Sequence, residues 1–135
     1  MRRILVTALV LAAGTGVAAA ASARTWRPRE NTRDPAGNHV VLQLGNGEHA
    51  LLAHLRRGSL RVKPGQRVRQ GDALGRCGNS GNSSEPHLHF HVQDRAKLFG
   101  PARGLPVEFR DYAANGRTVV SGTPVQGEFL RPRGS

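Results

Sequence analysis

The sequence predicts an all-β protein, a small antiparallel sheet or sandwich, and three observations carry that expectation. From Arg24 onward no stretch repeats apolar side chains at the helical period. Short extended runs are instead punctuated by Gly, Asn and Pro, which suit turns. Pro86-His87-Leu88-His89-Phe90-His91-Val92 alternates strictly, and alternate residues of a strand point to one face. His87, His89 and His91 are therefore expected on one side, with Leu88, Phe90 and Val92 packing beneath.

At the start of the chain, Arg2 and Arg3 precede an apolar run from Ile4 to about Ala20, and Ala21-Ser22-Ala23 follows before Arg24. A charged start, an apolar middle and a small-x-small ending read as a secretory signal peptide over residues 1–23, which places the protein outside the cytoplasm. Gly14, Thr15 and Gly16 interrupt the run and count against a membrane span, and no other stretch would cross a bilayer. A second reading makes Val10 to Ala20 a small-residue strand of a domain whose beginning is lost. Residues 24–36, polar and carrying Pro28 and Pro35, read as a linker or extended arm. Without the leader about 110 residues remain, enough for one small domain, placed at 37–130.

That domain opens with a hairpin. His39 to Leu44 and Glu48 to Leu55 flank Gly45-Asn46-Gly47, whose residues tolerate the positive φ of a tight turn. A period of two would put Leu52 and His54 on one face, with His54 ending the strand. Ser59 to Gly75 follows as short extended pieces, and Gly78 to Glu85 is a polar loop that delivers the chain into the histidine strand. Loops of this kind, held by a rigid sheet, often carry function. Beyond Asp94, Leu98 to Pro101 and Gly104 to Val107 read as loop and edge segments, Arg117 to Val120 as a last short strand, and 131–135 as a frayed tail.

The net charge of +11 is nearly all arginine, since Lys63 and Lys97 are the only lysines. A basic domain is attracted to polyanions such as cell-wall polymers. Scattered arginines and few aromatics argue against specific nucleic-acid binding. The single cysteine, Cys77, forms no intramolecular disulfide and reads as a small buried hydrophobe, so stability must come from packing or a metal. The histidine row itself leaves two readings open: a polar strand face, or a metal or proton-transfer site.

The hairpin, the run Val62-x-Pro-Gly-x-x-Val-x-x-Gly-x-x-Leu-Gly75 and Pro86-His87-Leu88-His89-Phe90 together resemble the lysostaphin/LytM-type zinc metallopeptidases. These are β-rich endopeptidases that cut peptide cross-links of bacterial peptidoglycan. The likeness runs from about Gly37 to Val92, through Ala53-His54-Leu55, Gly65, Gly71, Gly75 and Gly78-Asn79-Ser80-Gly81. It implies His89 as a zinc ligand, His87 as the residue that meets the reacting oxygen or moves protons, and His54 as its catalytic partner from the neighbouring strand. His91 stands where the family commonly has an acidic residue and receives no role.

The family takes its other two zinc ligands from an upstream His-x-x-x-Asp segment. Here no histidine precedes His39, and the only acids before it are Glu30 and Asp34, so neither half of that motif is present and the core is expected to be incomplete at its N-terminal side. A local alternative pairs two of His87, His89 and His91, with His54 crossing over as a third ligand. Two functions follow from the resemblance. One is a zinc-dependent peptidoglycan hydrolase, the other a non-catalytic module that binds cell wall or regulates a partner hydrolase. The same glycine-spaced run also resembles biotinyl and lipoyl carrier domains, but neither lysine lies in a Met-Lys-Met-like turn and that reading leaves the histidines idle.

Overall fold

The computed structural model describes residues 4–5, 19–24 and 34–133. Among them the regular elements are strands, with no helix, as the punctuated pattern predicts. They are β1 (Ile4–Leu5), β2 (Ala19–Arg24), β3 (Asn38–Gln43), β4 (His49–Leu55), β5 (Gln66–Val68), β6 (His89–Gln93), β7 (Gly104–Leu105), β8 (Val107–Ala114), β9 (Arg117–Gly122) and β10 (Leu130–Pro132). Six form one antiparallel sheet in the order β5-β2-β3-β4-β6-β7. In the second sheet β8 pairs antiparallel with β9 and β10 and parallel with β1.

The expected hairpin is β3 and β4, and it carries an irregularity that positions the site. Asn38 lies opposite Leu55 whereas Val40 lies opposite Leu52, so Ala53 and His54 together face His39. This is a β-bulge, which adds a residue to one strand and re-aims the side chains beyond it. His54 adopts φ 60°, a left-handed backbone conformation. Leu52 and Leu55, three positions apart, consequently join one core with Val40, Val62, Val68 and Leu74. Strict alternation fails here, and His54 leaves the face of Leu52.

Register with β6 then sorts the histidines from the core. Leu52 lies opposite Phe90 and Ala50 opposite Val92, so Phe90 and Val92 turn inward. Ala53 lies opposite His89 and Leu51 opposite His91, which puts the imidazoles on the other face, beside a second cluster of Ala36, Val41, Leu51, Ala53 and Leu98. Leu88, expected beneath the histidines, is 37% exposed and lies outside the core. The sheets meet where the rings of Phe90 and Phe109 stand 5.7 Å apart.

Three segments differ from the sequence reading. Most of residues 1–23 lie outside the described residues, but Ala19–Arg24 spans the expected cleavage point and runs as β2 between β3 and β5. Ala19 and Ala20 are the part of the Val10 to Ala20 span that falls within the described residues. In the expected arm, residues 25–33 lie outside the described residues, whereas Ala36 is buried and Pro35 O accepts from Asn82 N at 2.9 Å. Cys77 is exposed rather than buried.

At the other end, Leu130–Pro132 pairs with β8 where fraying was expected, and residues 134–135 lie outside the described residues. The eight-residue strand β8 was hidden because its apolar pattern changes phase between Phe109 and Tyr112, across Asp111 at φ 53°.

Two glycines with similar φ separate strain from close packing. A Cβ on Gly81 (φ 77°) would lie 2.4 Å from Gly37 N and Pro35 O, whereas one on Gly116 (φ 80°) would meet nothing within 4 Å. Gly116→Ala is expected to cost about 1 kcal/mol in urea unfolding, and Gly81→Ala about 3 kcal/mol or more. Equal costs would show that the close approach carries no energetic weight. Removing residues 1–23 would strip β2 from β3 and leave a row of unpaired backbone groups. That variant is expected to lose cooperative unfolding or aggregate, and full retention of stability would exclude β2 from the sheet.

Candidate active site

The bulge at the end of β4, the start of β6 and the loop between them converge on three imidazoles. His54, His87 and His89 each offer one ring nitrogen, and these atoms lie within 4.8 Å of one another. The His54 ring stands 4.7 Å from that of His87 and 5.7 Å from that of His89, centroid to centroid. The structure thus brings together the three residues singled out in the sequence. His91 stands behind His89, their ring centroids 5.1 Å apart.

Each ring is held from its far side. His54 is buried; its backbone N donates to Ala36 O at 3.0 Å and its ring Nδ1 lies 2.8 Å from Ser80 O. Ser80 is fixed in turn, since its Oγ donates to Leu55 O at 2.8 Å and accepts from Asn38 N at 2.9 Å. His87 is anchored by an isolated bridge to Gly78, its N donating to Gly78 O at 3.2 Å. Its Nδ1 lies 2.9 Å from Glu85 O and 3.2 Å from Ser83 Oγ. His89 Nε2 lies 2.9 Å from His91 Nδ1, and His91 Nε2 lies 2.9 Å from Gln93 Oε1.

These partners assign the proton positions of the neutral rings. A carbonyl oxygen only accepts, so Nδ1 of His54 and of His87 carries the hydrogen; the Ser83 hydroxyl is already spent on Glu85 O at 2.8 Å. Gln93 Nε2 donates to Arg95 O at 2.6 Å and to Lys97 O at 3.3 Å, which fixes its Oε1 as an acceptor. His91 therefore donates from Nε2 and accepts at Nδ1, and His89 donates from Nε2. What remains is one bare nitrogen per ring: Nε2 of His54, Nε2 of His87 and Nδ1 of His89.

Ligating histidines characteristically donate their other N–H to a carbonyl, carboxylate or water, so each of these rings is in a form that suits a divalent metal such as zinc. Burial first, and then the positive charges of His91, His54 and His87, lower the His89 pKa from the ordinary 6.5. Both effects favour the neutral form that a metal requires.

Sequence reasoning gave His91 no role and did not single out Asn38, Ser80 or Gln93. Alternate spacing already placed His91 on the histidine face, and Gln93 continues the same spacing. Asn38 and Ser80 carried no distinguishing signal, because their work is to satisfy buried backbone groups that appear only once the bulge has formed.

The family profile of peptidase family M23 matches residues 7–101, which include β2, the bulge and all three histidines. The chain belongs to peptidase family M23. It is 40% identical over 62 residues to the peptidoglycan DD-endopeptidase ShyA of Vibrio cholerae, covering 46% of this chain and 14% of that protein. It is 41% identical over 76 residues to the cell division protein DipM of Caulobacter vibrioides, covering 52% of this chain and 12% of that protein. The matched segment is thus a small part of each relative. The catalytic domain of lysostaphin from Staphylococcus simulans superposes with a TM-score of 0.47 at 24% identity, over 68% of this chain and 69% of that domain.

The lowered His89 pKa gives a pH dependence whose sign is fixed. Because the folded value lies below the unfolded one, the contribution of His89 to stability is present above about pH 6.5 and is lost as pH falls below it. An NMR titration of the ring protons is expected to place its midpoint below 6.5, and His91→Ala is expected to raise it while burial keeps part of the shift. A midpoint at or above 6.5 in the parent chain would contradict this.

Proposed function

We propose that this M23 domain hydrolyses peptide cross-links of peptidoglycan with zinc, acting outside the cytoplasmic membrane. The observation that carries the reading is the convergence of three imidazoles, one ring nitrogen of each within 4.8 Å of the others, with each ring held by a further partner. In this reading His89 is one of the metal's ligands, through Nδ1. Zinc, when bound, supplies Lewis acidity and an activated water.

The remaining work falls to His54 and His87. His87 is exposed and presents Nε2 to an incoming peptide, while its Nδ1–H stays on Glu85 O. His54 is buried, so its orientation is set by protein rather than solvent. Protonation at either Nε2 leaves the Nδ1–H bond in place, so each ring takes up or gives back a proton without turning. The cationic ring then faces the site where negative charge develops on the carbonyl oxygen. The name of the Vibrio relative, a peptidoglycan DD-endopeptidase, supports the substrate class.

A second reading has one specific observation in its favour. No histidine precedes His39 in these 135 residues, so the His-x-x-x-Asp ligands of the resemblance are not among them. On that reading the domain binds cell wall or a partner hydrolase without cutting.

The two separate on purified sacculi treated with the full chain and zinc. Hydrolysis predicts zinc bound by the chain, release of soluble peptides, and a loss of about a hundredfold or more in His89→Ala, with His54→Ala and His87→Ala losing rate but retaining metal. No bound zinc and no release, with retention on sacculi that survives chelation, would overturn hydrolysis in favour of the binding module.

A further inference from the structure

Just past His54 the chain builds a second polar feature, unconnected with the imidazoles. Arg56, Arg57, Arg61 and Arg76 line a cavity of about 350 Å3 together with Gly58, Ser59 and Leu60. No acidic residue lines it. Arg95 and Arg103 approach Asp94, and Arg133 approaches Asp111, but none of the four cavity arginines has a carboxylate partner among the described residues. Four unpaired guanidiniums around one concavity repel one another and hold a local positive potential.

The backbone carrying them is fixed independently of their side chains. Arg56 N donates to Arg76 O at 2.8 Å and Arg61 N donates to Leu74 O at 3.0 Å. Ser59 Oγ donates to Arg56 O at 2.7 Å and accepts from Arg76 N at 3.0 Å, clamping both sides of the cavity. Arg76 precedes Cys77, which bridges Leu55, and Gly78 bridges His87, so the cavity lies at the open end of the strand that bears His54.

The number of arginines discriminates among anions. A carboxylate has two oxygens in one plane and is satisfied by a single guanidinium fork. Inorganic phosphate presents oxygens in several directions and engages several forks at once, whereas each group of a phosphodiester polymer keeps two non-bridging oxygens, so successive groups engage successive forks.

We propose that this cradle binds the phosphate groups of a phosphodiester polymer. The site is separate from the peptidase reading, and a chain that fails to hydrolyse sacculi would still show it. The test is NMR titration of the arginine Nε–H signals of the full chain with inorganic phosphate, then with poly(glycerol phosphate). Saturable shifts are expected at Arg56, Arg57, Arg61 and Arg76, with the polymer binding more tightly and competing with phosphate. The double variant Arg61→Gln/Arg76→Gln should weaken binding about tenfold, whereas Arg117→Gln/Arg131→Gln, on the second sheet and of equal charge loss, should change it less than twofold.

Equal weakening by both pairs would overturn the proposal in favour of diffuse charge. So would acetate binding as tightly as phosphate, or binding to phosphatidylglycerol vesicles but not to the polymer. Should the double variant fail to fold, Arg57→Gln gives the same reading through an exposed side chain.

Discussion

His54 sits in a left-handed backbone conformation inside a β-bulge, and the Ser80 carbonyl that accepts its Nδ1–H at 2.8 Å keeps the ring turned toward His87 and His89. A non-glycine residue in that conformation costs about 1–2 kcal/mol. Two hydrogen bonds, from its N to Ala36 O and from its ring to Ser80 O, contribute about 1 kcal/mol each and offset the strain. The surrounding loops depend on the same contact. Ser80 is held by Asn38 and by Leu55 O, and the chains on either side approach so closely that only glycine fits at positions 37 and 81.

The bulge also explains how one short sheet serves a core and a site at once. It lets Leu52 and Leu55 share the apolar face while His54, between them, turns to the other. His89 needs no such device, because its register opposite Ala53 already places it there. The histidine face is supported by small side chains at Ala36 and Ala53, which leave room for rings above them. One face of β4 and β6 thus carries the larger apolar core, and the other carries the imidazoles beside a smaller apolar cluster.

Much of this was legible in the residues. The hairpin followed from Gly45-Asn46-Gly47 between alternating runs, and the placement of His89 and His91 followed from period two. The orientation of His54 did not, because a bulge leaves no mark on a single sequence and shifts the phase of everything beyond it. The phase change at Asp111 concealed β8 for a related reason. Ala19–Arg24 was ambiguous in a different way. A run of alanines suits both a leader and an interior strand, and its pairing with His39 to Gln43 and with Gln66 to Val68 is seen only in the fold.

Backbone and side-chain partners fix which nitrogen of each ring is bare. Long-range proton–nitrogen NMR correlation of the histidine rings at a pH where they are neutral reads this directly. The expected result is hydrogen on Nδ1 for His54 and His87 and on Nε2 for His89. Hydrogen on Nε2 of His54, or on Nδ1 of His89, would contradict those partners.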